Sequence, residues 1–190
     1  MIRTLTFVKH ARPEKVDSVD SHEWVLSPLG IADAQKLATH FQSSPLPYTA
    51  IVSSDEPKAS QTAQILATTL ALPLSFKEGL HEHDRSNVPL MKTPEFVSAV
   101  ANFFRKPTQL VLGNETARQA LKRFEKSVDA AIEDHPEGNL LIVSHGTVLA
   151  LWLETYCQLD GYTVWRQMGL PSYVSMTWPA CDLTDRRDSL

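Results

Sequence analysis

The sequence predicts an α/β fold, and three observations predict it. Short continuous apolar runs alternate along the chain with longer stretches of helical periodicity. Three of those runs end directly in polar residues that open a loop or a helix. The 190 residues, 43% hydrophobic and 21% charged, suit a globular protein with one sizeable core.

Taken in order, Leu5-Thr6-Phe7-Val8 reads as a buried strand. A helix is expected from Ser27-Pro28, with Ser27 as N-cap and Pro28 at the first helical position. Leu29, Ala34, Leu37, Ala38 and Phe41 recur along it at helical spacing, and Pro45 and Pro47 close the connection. Ala50-Ile51-Val52-Ser53 reads as a second strand. It leads into a helix with Ala59, Thr62, Ala63, Leu66 and Leu70 on one face, and Leu74-Ser75-Phe76 reads as a short strand. The stretch from Gly79 to Gly113, with Pro89, Pro94 and Pro107, is the least regular. It is expected to be an excursion over the sheet holding one helix around Phe96, Val97, Val100 and Phe104. From Asn114 a long helix places Ala117, Leu121, Phe124, Val128 and Ile132 on one stripe, with Glu115 in its first turn, and Pro136 and Gly138 stop it. Leu140-Leu141-Ile142-Val143 is a buried strand, followed by an apolar helix through Leu149, Trp152 and Tyr156. Tyr173 to Trp178 is expected to form a last edge strand, and Asp182 to Leu190 a frayed polar tail. Residues 1–190 read as one domain.

Composition narrows the function. Eighteen basic against 22 acidic side chains leave a net charge of −4, which argues against a general nucleic-acid binder. No apolar run approaches the ~20 residues that span a bilayer, and Met1-Ile2-Arg3-Thr4 lacks a signal-peptide pattern. Two cysteines, Cys157 and Cys181, do not make a disulfide framework, and no Cys/His spacing resembles a zinc site. No glycine-rich nucleotide loop follows a strand, and the tryptophans are too scattered for a base-stacking platform. A cytoplasmic enzyme or binding domain for a small molecule is expected, without metal or cofactor. Oligomeric state is not readable from the sequence.

The chemistry gathers at three strand ends: Lys9-His10-Ala11-Arg12, Ser53 through Lys58, and Ser144-His145-Gly146-Thr147. In a parallel sheet the carboxyl ends lie along one edge, where ligands bind. Two histidines, two lysines and an arginine would converge there beside helix N-termini, a cationic rim suited to phosphate. His22, His81 and His83 could also reach a substrate, but nothing separates them from loop histidines.

At these residues the chain resembles the histidine phosphatase superfamily, which includes the phosphoglycerate mutases. Phe7-Val8-Lys9-His10-Ala11-Arg12 is similar to its R-H-G signature, and Leu26-Ser27-Pro28-Leu29-Gly30 with Ala34-Gln35 to its L-[ST]-x-x-G-x-x-Q-A segment. Ser53-Ser54 through Lys58-Ala59-Ser60-Gln61-Thr62-Ala63 resembles S-S-x-x-x-R-A-x-Q-T-A. Leu80-His81-Glu82 resembles the L-x-E acid, Asn114-Glu115-Thr116 the G-E-[ST] helix start, and Val143-Ser144-His145-Gly146 matches V-S-H-G. These pieces fall in family order across roughly residues 5 to 150. The resemblance implies a three-layer α/β/α sandwich with a mostly parallel sheet, phosphoglycerate mutase-like.

Carried over by residue, the resemblance makes His10 the phosphorylated nucleophile and His145 the second, phosphate-binding histidine. Glu82 becomes the acid that protonates the leaving alcohol, with Asp84 and Glu78 close enough to take that role instead. Lys9 and Lys58 stand at the positions of two phosphate-binding arginines, and Ala11 replaces the motif glycine. Arg12 either supplies a guanidinium or is a surface residue. An acid beside these cations must hold its proton at working pH, which requires burial. The expected function is metal-independent hydrolysis of a small phosphomonoester through a phosphohistidine. The alternatives are a phosphate-binding or regulatory module with weakened turnover, or a mutase-type phosphotransferase. The substrate is expected to depend on residues 79–113.

Overall fold

The computed structural model describes residues 3–189. Met1 and Ile2 of the N-terminal reading, and Leu190 of the polar tail, lie outside the described residues. A six-stranded sheet is formed by β1 (Arg3–Lys9), β2 (Tyr48–Ser53), β3 (Leu74–Phe76), β4 (Asn139–Ser144), β5 (Ser172–Trp178) and β6 (Leu183–Arg187), in the order β3-β2-β4-β1-β5-β6. The first four run parallel, β5 pairs antiparallel with β1, and β6 antiparallel with β5. The helices are α1 (Pro28–Gln42), α2 (Pro57–Leu70), α3 (Thr93–Arg105), α4 (Ala117–Asp134), α5 (Gly146–Cys157) and α6 (Gly161–Gln167).

Strand side chains alternate between the two faces of the sheet, and each face has its own core. Leu5, Phe7, Ala50, Val52, Leu140 and Ile142 pack with Phe124 and Val128 of α4 and Trp152 of α5. Val8, Ile51, Leu141 and Val143 pack with Leu37 and Phe41 of α1 and Ala63 and Leu66 of α2. Trp152 is fully buried, its ring 4.7 Å from that of Phe7 in an edge-on contact. Each such buried side chain contributes about 1.5–3 kcal/mol. The result is the α/β/α sandwich with a mostly parallel sheet.

Helix starts follow local chemistry. Ser27 caps α1, its hydroxyl accepting from the Gly30 N–H, with Pro28 next as expected. In α4 the start is shifted: Thr116 is the N-cap and forms a reciprocal capping box with Gln119. Glu115 therefore precedes the helix and is not in its first turn.

Two further expectations are corrected, and one element is new. Tyr173 to Trp178 is an internal strand, because residues 183–187 pair along its outer side as β6, with Tyr173 opposite Arg187 and Val174 opposite Arg186. The tail is thus largely ordered as an edge strand, whose mostly exposed side chains need no apolar alternation. The seven-residue α6, capped by Asp160 accepting from the Thr163 N–H, has no counterpart in the sequence reading.

Candidate active site

Register brings the three strand ends level. Lys9 of β1 lies beside Ser144 of β4, and Ser53 of β2 beside Val143. The next residues continue the ladder: the His10 N–H donates to the Ser144 carbonyl at 3.0 Å and the Ser54 N–H to the Val143 carbonyl at 2.9 Å. His10 and His145 consequently meet, ring centroids 5.1 Å apart. His10 lies at the base of a cavity of about 720 Å³ lined also by Lys9, Glu56, Lys58, Glu82 and Arg85, among others. His145 is wholly buried behind His10 and does not line the cavity.

The His10 ring is held in one tautomer. Its Nδ1 lies 2.7 Å from the Ala11 carbonyl oxygen. A carbonyl only accepts, so Nδ1 carries the proton and Nε2 the free lone pair. Burial, then the neighbouring His145 and Lys58, push the His10 pKa well below its ordinary value, so the ring is neutral. Ala11 adopts no left-handed backbone, and its methyl is buried with Leu26 and Ala34. Alanine therefore sits without strain after His10. Gly30 holds this loop from the other side: a Cβ there would stand 2.0 Å from the Arg12 carbonyl oxygen.

His145 has Nε2 2.9 Å from the Ser54 hydroxyl. Its Nδ1 has no hydrogen-bond partner and lies 3.7 Å from the Glu56 carboxylate. Burial lowers the His145 pKa to about 4, against the opposing pull of Glu56.

Glu82 is anchored at both oxygens, accepting from the His83 N–H at 2.8 Å and from the Thr147 N–H, at the start of α5, at 3.2 Å. Burial alone would raise its pKa. Arg85, 4.0 Å away, His145 and the two N–H groups outweigh that and bring it to about 2. The expectation of a carboxylic acid holding its proton is thereby corrected: in the free protein Glu82 is a carboxylate, because the surrounding donors and cations stabilise the charge more than burial opposes it. Of the alternatives to Glu82, neither Asp84 nor Glu78 lines the cavity.

Both lysines are tethered. Lys9 donates to the Met168 carbonyl at 2.8 Å, and burial lowers its pKa to about 8. Lys58 donates to the Ser21 carbonyl at 2.7 Å and to the Glu56 carboxylate. Arg12 is exposed and does not line the cavity; its carbonyl accepts from the Ser27 N–H and hydroxyl, which turns its side chain outward. A guanidinium beside Glu82 in the cavity is that of Arg85, held 5.1 Å over the Phe96 ring and 3.5 Å from the Thr147 hydroxyl.

Three residues escaped the sequence reading. Glu56 is the N-cap of α2 yet makes no capping bond. Its carboxylate faces His22 Nδ1 at 2.9 Å, Lys58 and the Glu82 N–H at 2.8 Å, and stays ionised because His145, His22 and Lys58 outweigh its burial. The pairing raises the His22 pKa. Arg85 follows Glu82 by three residues, a spacing that offered a signal. Arg123 of α4 donates to the carbonyls of Gly79, His81 and Glu82 and pairs with Glu115, so it fixes the segment carrying Glu82 from behind. Ser144 adds to this, its hydroxyl donating to the Leu80 carbonyl at 2.7 Å.

Among the described residues no group of three or more His, Cys, Asp or Glu side chains is arranged to hold a metal ion, and no helix is long and apolar enough to cross a membrane. Cys157 and Cys181 are free thiols.

Solved structures share this architecture. A mycobacterial glucosyl-3-phosphoglycerate phosphatase superposes with a TM-score of 0.79 at 18% identity, covering 100% of both chains. A phosphoserine phosphatase mutant from Entamoeba histolytica, in complex with phosphoserine, gives 0.77 at 16% identity, covering 97% of this chain and 96% of that one. A phosphoglycerate mutase from Bacillus anthracis gives 0.73 at 17%, covering 99% and 93%. No curated protein matches the sequence. Residues 5–183 match the model of the histidine phosphatase superfamily (branch 1). With nearly the whole chain inside that match, and paired histidines at the ends of β1 and β4, the protein belongs to the histidine phosphatase superfamily.

Proposed function

We propose that this protein hydrolyses phosphomonoesters through a phosphohistidine on His10. The observation that carries the reading is the neutral His10 ring with Nδ1 on the Ala11 carbonyl, leaving Nε2 as nucleophile in a cavity shared with Lys9, Lys58 and Arg85. Nε2 attacks phosphorus and the bond to the ester oxygen breaks, while the three cations offset charge on the equatorial oxygens. An incoming phosphate opposes the ionisation of Glu82, which then carries the proton that the leaving alkoxide takes. In the second step the Glu82 carboxylate accepts a proton from water as water attacks phosphorus. The N–P bond breaks, and phosphate leaves with His10 restored. Because Lys9, Lys58 and Arg85 supply the charge stabilisation, turnover needs no metal. The phosphatases among the similar structures support hydrolysis at the level of the family.

One observation favours a second reading, a phosphate-binding module with little turnover: the Lys58 ammonium is already engaged by Glu56 and Ser21. The experiment that separates the two is a phosphoenzyme trap. Wild type and His10→Ala are mixed with 4-nitrophenyl phosphate in chelator, quenched in alkali and weighed. An acid-labile phosphoryl adduct on wild type alone, with steady nitrophenol release, supports the hydrolase. Phosphate or vanadate binding without adduct or product moves the assignment to the binding module.

A further inference from the structure

Two features of the cavity pull in opposite directions. At its phosphate end the two lysines have few free donors. Of the three N–H groups on Lys58, two are committed to Glu56 and Ser21, and one of the three on Lys9 is committed to Met168. Glu56 and Glu82 add two carboxylates there. These two positions therefore give the phosphate less than two free guanidinium forks would.

The outer part of the cavity is large and apolar. Val16, Trp24, Leu90, Phe96, Trp165 and Met168 line it. Leu90 is 61% exposed and Val16 40%, so both present apolar surface at the opening. The aromatic members are fixed in place. Trp24 donates its indole N–H to the Val16 and Val19 carbonyls, Trp165 stacks on Tyr162 at 6.1 Å, and Phe96 meets Trp165 edge-on at 5.9 Å. The exposed ionic groups at the mouth include Lys15 and Arg166 against Asp17 and Asp20, whose formal charges cancel, so the mouth carries no strong net field for a second anionic group. Pockets with apolar and aromatic walls take apolar, ring-bearing ligands, with a few polar groups fixing orientation.

We infer that the substrate is a phosphomonoester of an aryl or arylalkyl alcohol, its ring held between the walls built by Trp24, Phe96 and Trp165. The recognition energy resides in the leaving group more than in the phosphate. The inference rests on the hydrolase reading for its ester bond, but the wall and its preference exist without turnover.

The test uses two matched pairs on the full chain. Ethyl phosphate and 2-phenylethyl phosphate share a primary alkoxide leaving group and differ by one phenyl ring; ethylphosphonate and 2-phenylethylphosphonate are their non-hydrolysable counterparts. Burying the phenyl ring is expected to raise kcat/KM for the ester, and the calorimetric affinity for the phosphonate, roughly 10- to 100-fold. Trp165→Ala is expected to narrow both ratios several-fold. Discrimination between the phosphonates with neither ester hydrolysed would refute the hydrolase and leave the ligand class standing. Equal affinity for the two phosphonates, or tighter binding of O-phosphoserine than of 2-phenylethylphosphonate, would overturn the inference whatever the turnover.

Discussion

The Lys58 ammonium and the Glu56 carboxylate, two residues apart at the start of α2, form a buried ion pair at the base of the cavity. A lysine lacks the rigid fork of a guanidinium, and here a neighbouring carboxylate and the Ser21 carbonyl supply the missing fixity. Removing one partner leaves the other charge buried. Lys58→Met is therefore expected to cost about 3 kcal/mol and lower the melting temperature by on the order of 10 °C. Glu56→Gln combined with Lys58→Met removes both charges and should recover most of that stability without recovering phosphate binding. Calorimetry and a phosphate titration on the two variants check it. A double variant that binds phosphate like wild type would mean Lys58 plays no part in holding the anion.

Glu82 is expected to matter in proportion to how poor the leaving group is. An alkoxide needs a proton as it departs, whereas a nitrophenolate does not. Glu82→Gln should thus slow phosphorylation by an alkyl phosphate about 10²–10⁴-fold and by 4-nitrophenyl phosphate much less. Arg85 is the leading neighbour holding Glu82 near 2, so Arg85→Gln should move the Glu82 limb of the pH–rate profile to higher pH. Stopped-flow release of the first alcohol, followed across pH, measures both effects. A uniform loss for both esters would reassign the proton donor.

The fold was legible in the sequence wherever burial imposes a pattern. Phe7 and Ile142 on one face, Val8 and Val143 on the other, belong to strands buried on both sides, and such strands read as continuous apolar runs. Ser27-Pro28 located the start of α1 because the cap chemistry is local. What failed lacked such a pattern: β6 is an edge strand with exposed side chains, and α6 is too short for a period to show. His10, His145 and Glu82 were legible because each follows or adjoins a recognisable segment and the sheet aligns them. Arg12 was left between two places because sequence proximity to His10 says nothing about direction; it takes the surface one, its side chain outward as its carbonyl meets Ser27. Arg85 takes its place from an excursion whose path no local rule sets. Glu56 carries no local signal of its own; its place follows from His22, Lys58 and the Glu82 N–H, which only the fold brings around it.

Gly146 offers a way to perturb the phosphate end without touching a charge. A Cβ at this position would lie 3.0 Å from Cε and 3.1 Å from Nζ of Lys9, the far end of a flexible side chain. Gly146→Ala should displace the ammonium by a few tenths of an ångström while the helix gains slightly from alanine. The expected result is a several-fold rise in KM, or in the vanadate dissociation constant, with the melting temperature unchanged or a little higher. A fall in stability with unaltered affinity would show that Lys9 yields freely and that its exact position is immaterial.

Stability should fall in acid in two stages. His10 and His145 are buried neutral, and His145 titrates near 4 in the folded protein against about 6.5 when unfolded. Between those values the unfolded chain binds the proton and the folded one does not, so stability decreases as pH drops from about 6.5 toward 4. Glu56 and Glu82 act lower down: their folded pKa values are depressed, so the stability they contribute is present above about 4.5 and is lost as pH falls through that range. His22 works the other way, because its pKa is raised by Glu56 and its contribution is fully present below about 6.5. Melting temperatures between pH 7 and 4 should therefore decline for wild type, and decline less steeply for His145→Asn, which removes one buried base. For His22→Gln they should lie lower and run parallel to wild type below about 6.5, because the contribution removed is constant there. A His145→Asn curve parallel to that of wild type would mean that His145 is already charged in the folded protein.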